Sequence, residues 1–415
     1  MTDLEARITA LADRLADRDT AIGAFLSEPD RLGRLRHEAA ELEAHWLVTA
    51  RRPPLWGIPV GVKDVLHVDG LETRAGSDIP ADELTGEQAT VVTALRRAGA
   101  LVAGKTVTAQ FAMSAPGATR NPHDLDRTPG GSSSGSAAAV AAGSVPLAIG
   151  TQTVGSTIRP AAYCGVIGFV ASRGRISTDG MLPNATSFDT IGVFAADLEL
   201  LATVAPVMIP DWQPVSPSRR PVLGVPGDDY LAQAQSAGRR AFRTQVNRLR
   251  RHGFDVVRSD PFGNIAAVNA RHRTIQRFEF AVSHRHWYTA HPTAFARESL
   301  AILQEGERIP VTAYHRAMES LVDFPESVTG IAASTGVDIW VSPAAPGPAP
   351  VGLRSTGDPV MNLPWTQAGT PAISLPAGRA DNGMPLGLQC CAAPGRDEDL
   401  LAWAPELLTA LDSTD

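Results

Sequence analysis

Two serines and one lysine are the residues whose type and placement could do acyl chemistry. Ser132 and Ser156 stand at either end of a compact stretch inside Thr128 to Gly168, and no charged residue lies between Arg127 and Arg159. A serine hydroxyl attacks a carbonyl only when a base takes its proton. Histidine is the usual base, yet none lies in this stretch, and His67 and His123 upstream carry no motif of their own. Lys63 is the alternative. It follows the apolar run Ile58-Pro59-Val60-Gly61-Val62 directly. Burial at the end of such a strand disfavours the ammonium, lowers the pKa and leaves a neutral amine able to accept a proton.

The elements that must position these groups follow from the charge-free tract. Such a tract is either a membrane span or a buried centre. Gly130, Gly131, Gly143, Pro146, Gly150 and Gly155, among Ser and Thr, argue against one spanning helix. The pattern predicts a turn at Gly130-Gly131, a small-residue helix over Ser132 to Ala142, and a buried strand over Val145 to Ile149. A loop of hydroxyls and backbone donors, Thr151-Gln152-Thr153-Val154-Gly155-Ser156, comes next. Consecutive N–H groups at a glycine-containing loop suit the negative charge of a tetrahedral intermediate.

GIPVGVKD (Gly57 to Asp64), PGGSSSGSAAAVAAG (Pro129 to Gly143) and GTQTVGSTIRPAAYCGVIGF (Gly150 to Phe169) together resemble the amidase signature family in order and spacing. The resemblance implies that Ser156 is the acyl-accepting nucleophile and Lys63 the general base. Ser132, which follows a cis peptide in the family, relays the proton between them. The backbone N–H groups of Thr153, Val154, Gly155 and Ser156 would form the oxyanion hole. Many members carry GGSSGG where this chain has Gly131-Ser132-Ser133-Ser134-Gly135, and Asp-Thr-Gly-Gly-Ser where it has Gln152-Thr153-Val154-Gly155-Ser156. Neither change removes a triad position. Gln152 gives up a negative charge near the nucleophile and Val154 narrows the loop. The implied fold is α/β, a single α/β/α domain over 1–415 with a large mixed sheet covered by helices. Within it, 1–53 would be N-terminal helices, 54–205 the signature core, 206–336 a variable, mostly helical, substrate-shaping region, and 337–415 a return to the core sheet. The matches are carried by residues 54–200 and, more sparsely, 338–410.

Composition narrows the function classes. Of 415 residues, 44% are hydrophobic and 20% charged, as in ordinary globular proteins. The net charge of −7 argues against a nucleic acid or an anionic membrane as partner. Three cysteines, Cys164, Cys390 and Cys391, form neither a disulfide framework nor a CxxC site. The opening MTDLEAR lacks an apolar core, so no signal peptide is expected and the cytoplasm is the default compartment.

Along the remaining chain, Leu4, Ile8, Leu11 and Leu15, then Leu32, Leu35, Ala39, Leu42 and Trp46, recur at helical spacing, with Arg51-Arg52-Pro53-Pro54 ending the second helix. Gly99 with Gly104-Lys105-Thr106 formally matches a phosphate-binding GxxxxGK[ST]. That motif needs a loop running from strand to helix, whereas Ala100 to Ala103 itself reads as strand, so Lys105 is expected to be structural. Arg159 either braces the loop through a buried carboxylate or binds a substrate acceptor, with bracing favoured. The region from Ala266 to about Gly330 is helical and holds His272, His284, His286 and His291. His284 and His286 are two apart, on different helix faces, and no HExxH accompanies them, so no metal is expected. Trp365 is read either as lining the pocket or as a buried structural residue.

These readings point to hydrolysis of a small-molecule carboxamide without metal or organic cofactor. A biosynthetic acyltransferase and a glutaminase-type amidotransferase component share the same acyl-enzyme and stand as alternatives. A homodimer is left open.

Overall fold

Alternation of side chains along a strand decides which layer each residue meets. The computed structural model describes residues 3–46 and 52–412; Met1, Thr2 and Arg51 of the stretches named above lie outside these. Its strands are β1 (Pro59–Lys63), β2 (Leu101–Thr106), β3 (Leu147–Gln152), β4 (Ile167–Val170), β5 (Thr190–Ala195), β6 (Leu223–Val225), β7 (Val256–Arg258), β8 (Ile339–Pro343), β9 (Ala372–Arg379) and β10 (Pro385–Ala392). They join in one mixed sheet in the order β2-β1-β3-β5-β4-β9-β10-β8-β6-β7. β2, β1 and β3 run parallel at one end, as do β8, β6 and β7 at the other, and the strands between them are antiparallel.

The two faces have separate cores. Val60, Val62, Leu147, Ile149, Ile373 and Leu375 pack with helices Thr90–Arg97, Leu198–Met208, Ser236–Arg251 and Asp397–Asp412. Ala103, Ala148 and Phe194 meet helices Asp3–Ile22, Ser134–Ala141 and Ile158–Cys164 on the opposite face. The result is the helix–sheet–helix sandwich expected of an α/β chain. Gly61 alternates with Val60 and Val62 and lies against Phe25 and Ala148, so the next alternate position, Lys63, emerges on the side of the Ser134–Ala141 helix.

Element boundaries differ from the sequence reading where long-range pairing decides them. The small-residue helix begins at Ser134, not Ser132. β3 begins at Leu147 and runs on through Gly150, Thr151 and Gln152, because these pair with Gly192, Ile191 and Thr190 of β5. The second helix ends at His45, where the Trp46 N–H bonds Leu42 O, short of the Arg-Pro stretch. The His-rich region is three helices, Ile265–Ala290, Arg297–Glu307 and Val311–Thr335.

Gly104-Lys105-Thr106 lies inside β2, paired with Gly61, Val62 and Lys63 of β1, so no strand-to-helix loop exists there to cradle phosphate. Lys105 is structural. Its Nζ donates to Thr73 Oγ1 at 2.9 Å and sits 2.8 Å from Asp64 Oδ1, the two side chains being 5% and 1% exposed. Removing one member of a buried ion pair strands the other. Lys105→Met is therefore expected to cost about 3–5 kcal/mol, read as a lowered denaturant midpoint at unchanged m-value; an unchanged midpoint would refute the assignment.

Candidate active site

Lys63 ends β1 fully buried, and its Nζ donates to Ser132 Oγ at 2.8 Å and to Thr151 Oγ1 at 2.6 Å. Burial pulls its pKa down to about 7, against the opposing charge of Asp189. The Gly131–Ser132 peptide is cis, and Ser132 lies two residues before the start of the helix that packs on β1 and β3. Ser156 follows β3 on the turn leading into helix Ile158–Cys164 and is 8% exposed. The structure joins Lys63 directly to Ser132. Among the described residues, no hydrogen bond joins Ser132 to Ser156.

What brings the two serine segments together is a set of backbone ties. Arg159 Nη2 donates to Gly131 O at 2.6 Å and its Nε to Thr356 O at 2.9 Å. Arg159 is thus tied to carbonyls and not to the expected carboxylate, while its Nη1 has no hydrogen-bond partner among the described residues. Ser133 Oγ donates to Thr151 O at 3.1 Å and accepts from the Thr151 N–H at 3.2 Å.

The loop from Thr153 to Ser156 is held on three sides. Gln152 Oε1 accepts the N–H groups of Thr157 and Ile158, each at 3.1 Å, and so serves as an acceptor at the helix start. Thr366 Oγ1 donates to Val154 O at 2.8 Å. Gly155 must be glycine, since a Cβ there would lie 2.4 Å from Asn362 Oδ1. The N–H groups of Thr153, Val154, Gly155 and Ser156 have no acceptor among the described residues.

Sequence reasoning missed Asp189. The register Gln152↔Thr190 sets it beside Thr153, whose hydroxyl donates to Asp189 Oδ1 at 2.5 Å. The N–H groups of Asn184 and Ala185 donate to Oδ2 at 2.8 and 3.0 Å. Burial raises the Asp189 pKa to about 7, with Thr153 and the two N–H groups opposing and Lys63 contributing least. No spacing motif marks this aspartate; only its strand partner does. Thr151, a loop hydroxyl by its sequence, lies in β3 and accepts from Lys63 Nζ.

The remaining candidates lie elsewhere in chemical terms. Trp365 is buried, with Nε1 donating to Tyr230 Oη at 2.9 Å and edge-on packing against Phe262, so it belongs to the core. His272 stacks on Phe188 at 3.9 Å and His284 on Phe280 at 4.1 Å, and burial pulls their pKa values down to about 3 and about 4. His291 pairs with Glu83 at 2.8 Å. Among the described residues no three His, Cys, Asp or Glu side chains gather as metal ligands.

The family pattern described as Amidase matches residues 7–401. The chain belongs to the amidase signature family. A curated relative from Koribacter versatilis, one of the subunits of its glutamyl-tRNA(Gln) amidotransferase, is 30% identical over 94% of this chain and 92% of its own length. A crystal structure of an amidase superposes with a TM-score of 0.87 at 29% identity, covering 98% of this chain and 96% of the other. A peptide amidase bound to the competitive inhibitor chymostatin gives a TM-score of 0.80 at 27% identity, over 98% and 94%. As an amidase-family hydrolase, the chain acts on carbon–nitrogen amide bonds. Among its described residues, no helix of this amidase is long and apolar enough to cross a membrane.

Proposed function

We propose that this amidase cleaves a small carboxamide through an acyl-enzyme on Ser156. The observation that carries the reading is the buried lysine: Lys63 Nζ lies 2.8 Å from Ser132 Oγ, with a pKa of about 7. A base poised near neutrality combines a useful neutral fraction with useful basicity.

Ser156 Oγ attacks the carbonyl carbon while its proton passes to Ser132 Oγ and the Ser132 proton passes to neutral Lys63. The carbonyl π pair moves onto oxygen, where the N–H groups of Thr153, Val154, Gly155 and Ser156 receive the oxyanion. Collapse breaks the C–N bond, and the Lys63 ammonium returns its proton through Ser132 to the leaving nitrogen. Ammonia or an amine departs. Water then repeats the sequence on the ester, giving the carboxylic acid and restoring Ser156. Catalytic hydrogen bonds often tighten only with substrate bound, which accounts for a Ser132–Ser156 link not yet made.

The test is covalent trapping with a small sulfonyl fluoride or fluorophosphonate, mapped by mass spectrometry. The adduct is expected on Ser156, absent from Ser156→Ala and formed slowly in Lys63→Ala. Adducts spread over other serines, with a control amidase labelling normally, would refute the mechanism.

Asp189 grips Thr153 and faces Lys63, so Asp189→Asn is expected to act in two ways. Displacing the loop lowers kcat by about 10²-fold. Removing a charge that raises the Lys63 pKa shifts the acid limb of kcat/KM to lower pH. A reduced rate with an unmoved limb would leave Asp189 only a structural role.

A second reading comes from the relative named as a subunit of a glutamyl-tRNA(Gln) amidotransferase. Glutaminase activity that appears only with a stoichiometric co-purifying protein would establish it here. Acyl transfer to an added amine in preference to water would mark an acyltransferase. A cytoplasmic location and a homodimer remain part of the proposal, tested by fractionation and by mass in solution.

A further inference from the structure

The sheet ends opposite the catalytic residues at a groove that the reaction does not use. Val225 and Arg258, the last residues of the parallel strands β6 and β7, open onto it, and helix Ser236–Arg251 forms its wall. β6 lies seven strand positions from β1, roughly 30 Å across a sheet with about 4.8 Å between strands. The carboxyl ends of parallel strands are where open α/β sheets take ligands.

The lining has two characters. Leu231, Phe242 and Val246 make an apolar floor, while Arg239, Arg243, Arg250 and Arg258 face a single acid, Asp228. That excess of positive charge occurs on a chain of net charge −7. Two of the arginines are committed, Arg239 to Ala232 O and Ala234 O and Arg258 to Asp228. Arg243 and Arg250 are exposed, and their side chains have no hydrogen bond or ion pair among the described residues. They are seven residues apart on one helix face, about 10 Å along the axis. By contrast, Arg240 and Arg248 of the same helix are engaged by Asp381 and Leu411 O.

We propose that this groove binds a small organic anion: an apolar, preferably aromatic body on Phe242 and Val246, with a carboxylate, sulfonate or phosphate head between Arg243 and Arg250. Its volume of about 780 Å³ lies within the usual range for small-molecule sites. Guanidinium groups with free donors above an apolar floor favour an amphipathic anion over either a bare anion or a neutral apolar molecule.

The probe is 1-anilinonaphthalene-8-sulfonate, compared with its uncharged analogue N-phenyl-1-naphthylamine, on the full chain. Saturable one-to-one binding is expected, about tenfold weaker for the uncharged analogue and about tenfold weaker in the double variant Arg243→Glu/Arg250→Glu. Ala232→Trp, which fills the groove and keeps its charges, should weaken binding similarly. None of these positions belongs to the catalytic machinery, so labelling of Ser156 should be unchanged in both variants. Equal affinity for the two probes on the unaltered protein would overturn the proposal, and that comparison does not depend on any variant folding. Sulfonate binding unaffected by the double variant would overturn it as well. Displacement by poly-L-glutamate but not by 1-naphthoate would make the groove a protein-docking surface and sink the small-anion assignment.

Discussion

Ser156→Ala is expected to lower kcat for amide hydrolysis by about 10⁴-fold or more, since removing a serine nucleophile leaves only binding and the oxyanion site. The fold should survive. The Ser156 hydroxyl makes no hydrogen bond among the described residues, so its loss leaves no buried partner unsatisfied. A melting temperature within about 2 °C of the parent and normal substrate binding would separate lost chemistry from lost structure. A variant retaining a tenth of the parent rate would rule Ser156 out as the nucleophile.

The second large effect concerns Lys63. Its pKa of about 7 arises mainly from burial, and only the neutral amine can take the Ser132 proton. The sign is therefore fixed: kcat/KM rises with pH through about 7 and levels off above, falling about tenfold per unit on the acid side. Because Asp189 titrates in the same range, the apparent value belongs to the pair. Lys63→Met removes the base at similar volume and is expected to cost about 10⁴-fold in kcat, with no acid limb left in the residual rate. Combining it with Ser156→Ala should cost little more than either change alone, because the groups act as one unit. A flat profile between pH 6 and 8 in the parent would exclude a titrating lysine base.

Much of this was legible in the chain. The apolar run Ile58 to Val62 before Lys63 and the charge-free tract around Ser132 and Ser156 are local patterns, and burial follows from them directly. The absence of a nearby histidine pointed to lysine, and the structure places Lys63 Nζ on Ser132 Oγ. The small residues Ala137, Ala138 and Ala139 announced close packing, and they lie fully buried.

Pairing between distant segments was not legible. β3 runs through Gln152 because β5, some forty residues on, supplies its ladder, and the same register delivers Asp189 to Thr153. Arg159 is tied to Gly131 and Thr356 by their carbonyls, acceptors that every residue carries and that leave no mark in a sequence. Residue type and the local apolar run thus pointed to a buried lysine beside two serines, while the resemblance of three motifs implied the layered α/β class and the acyl chemistry. The tertiary structure alone decided what holds the loop after β3, what charge faces Lys63, and that an arginine-rimmed groove opens at the far edge of the sheet. Those outcomes depend on contacts between residues tens to hundreds of positions apart, where one-dimensional spacing carries no information.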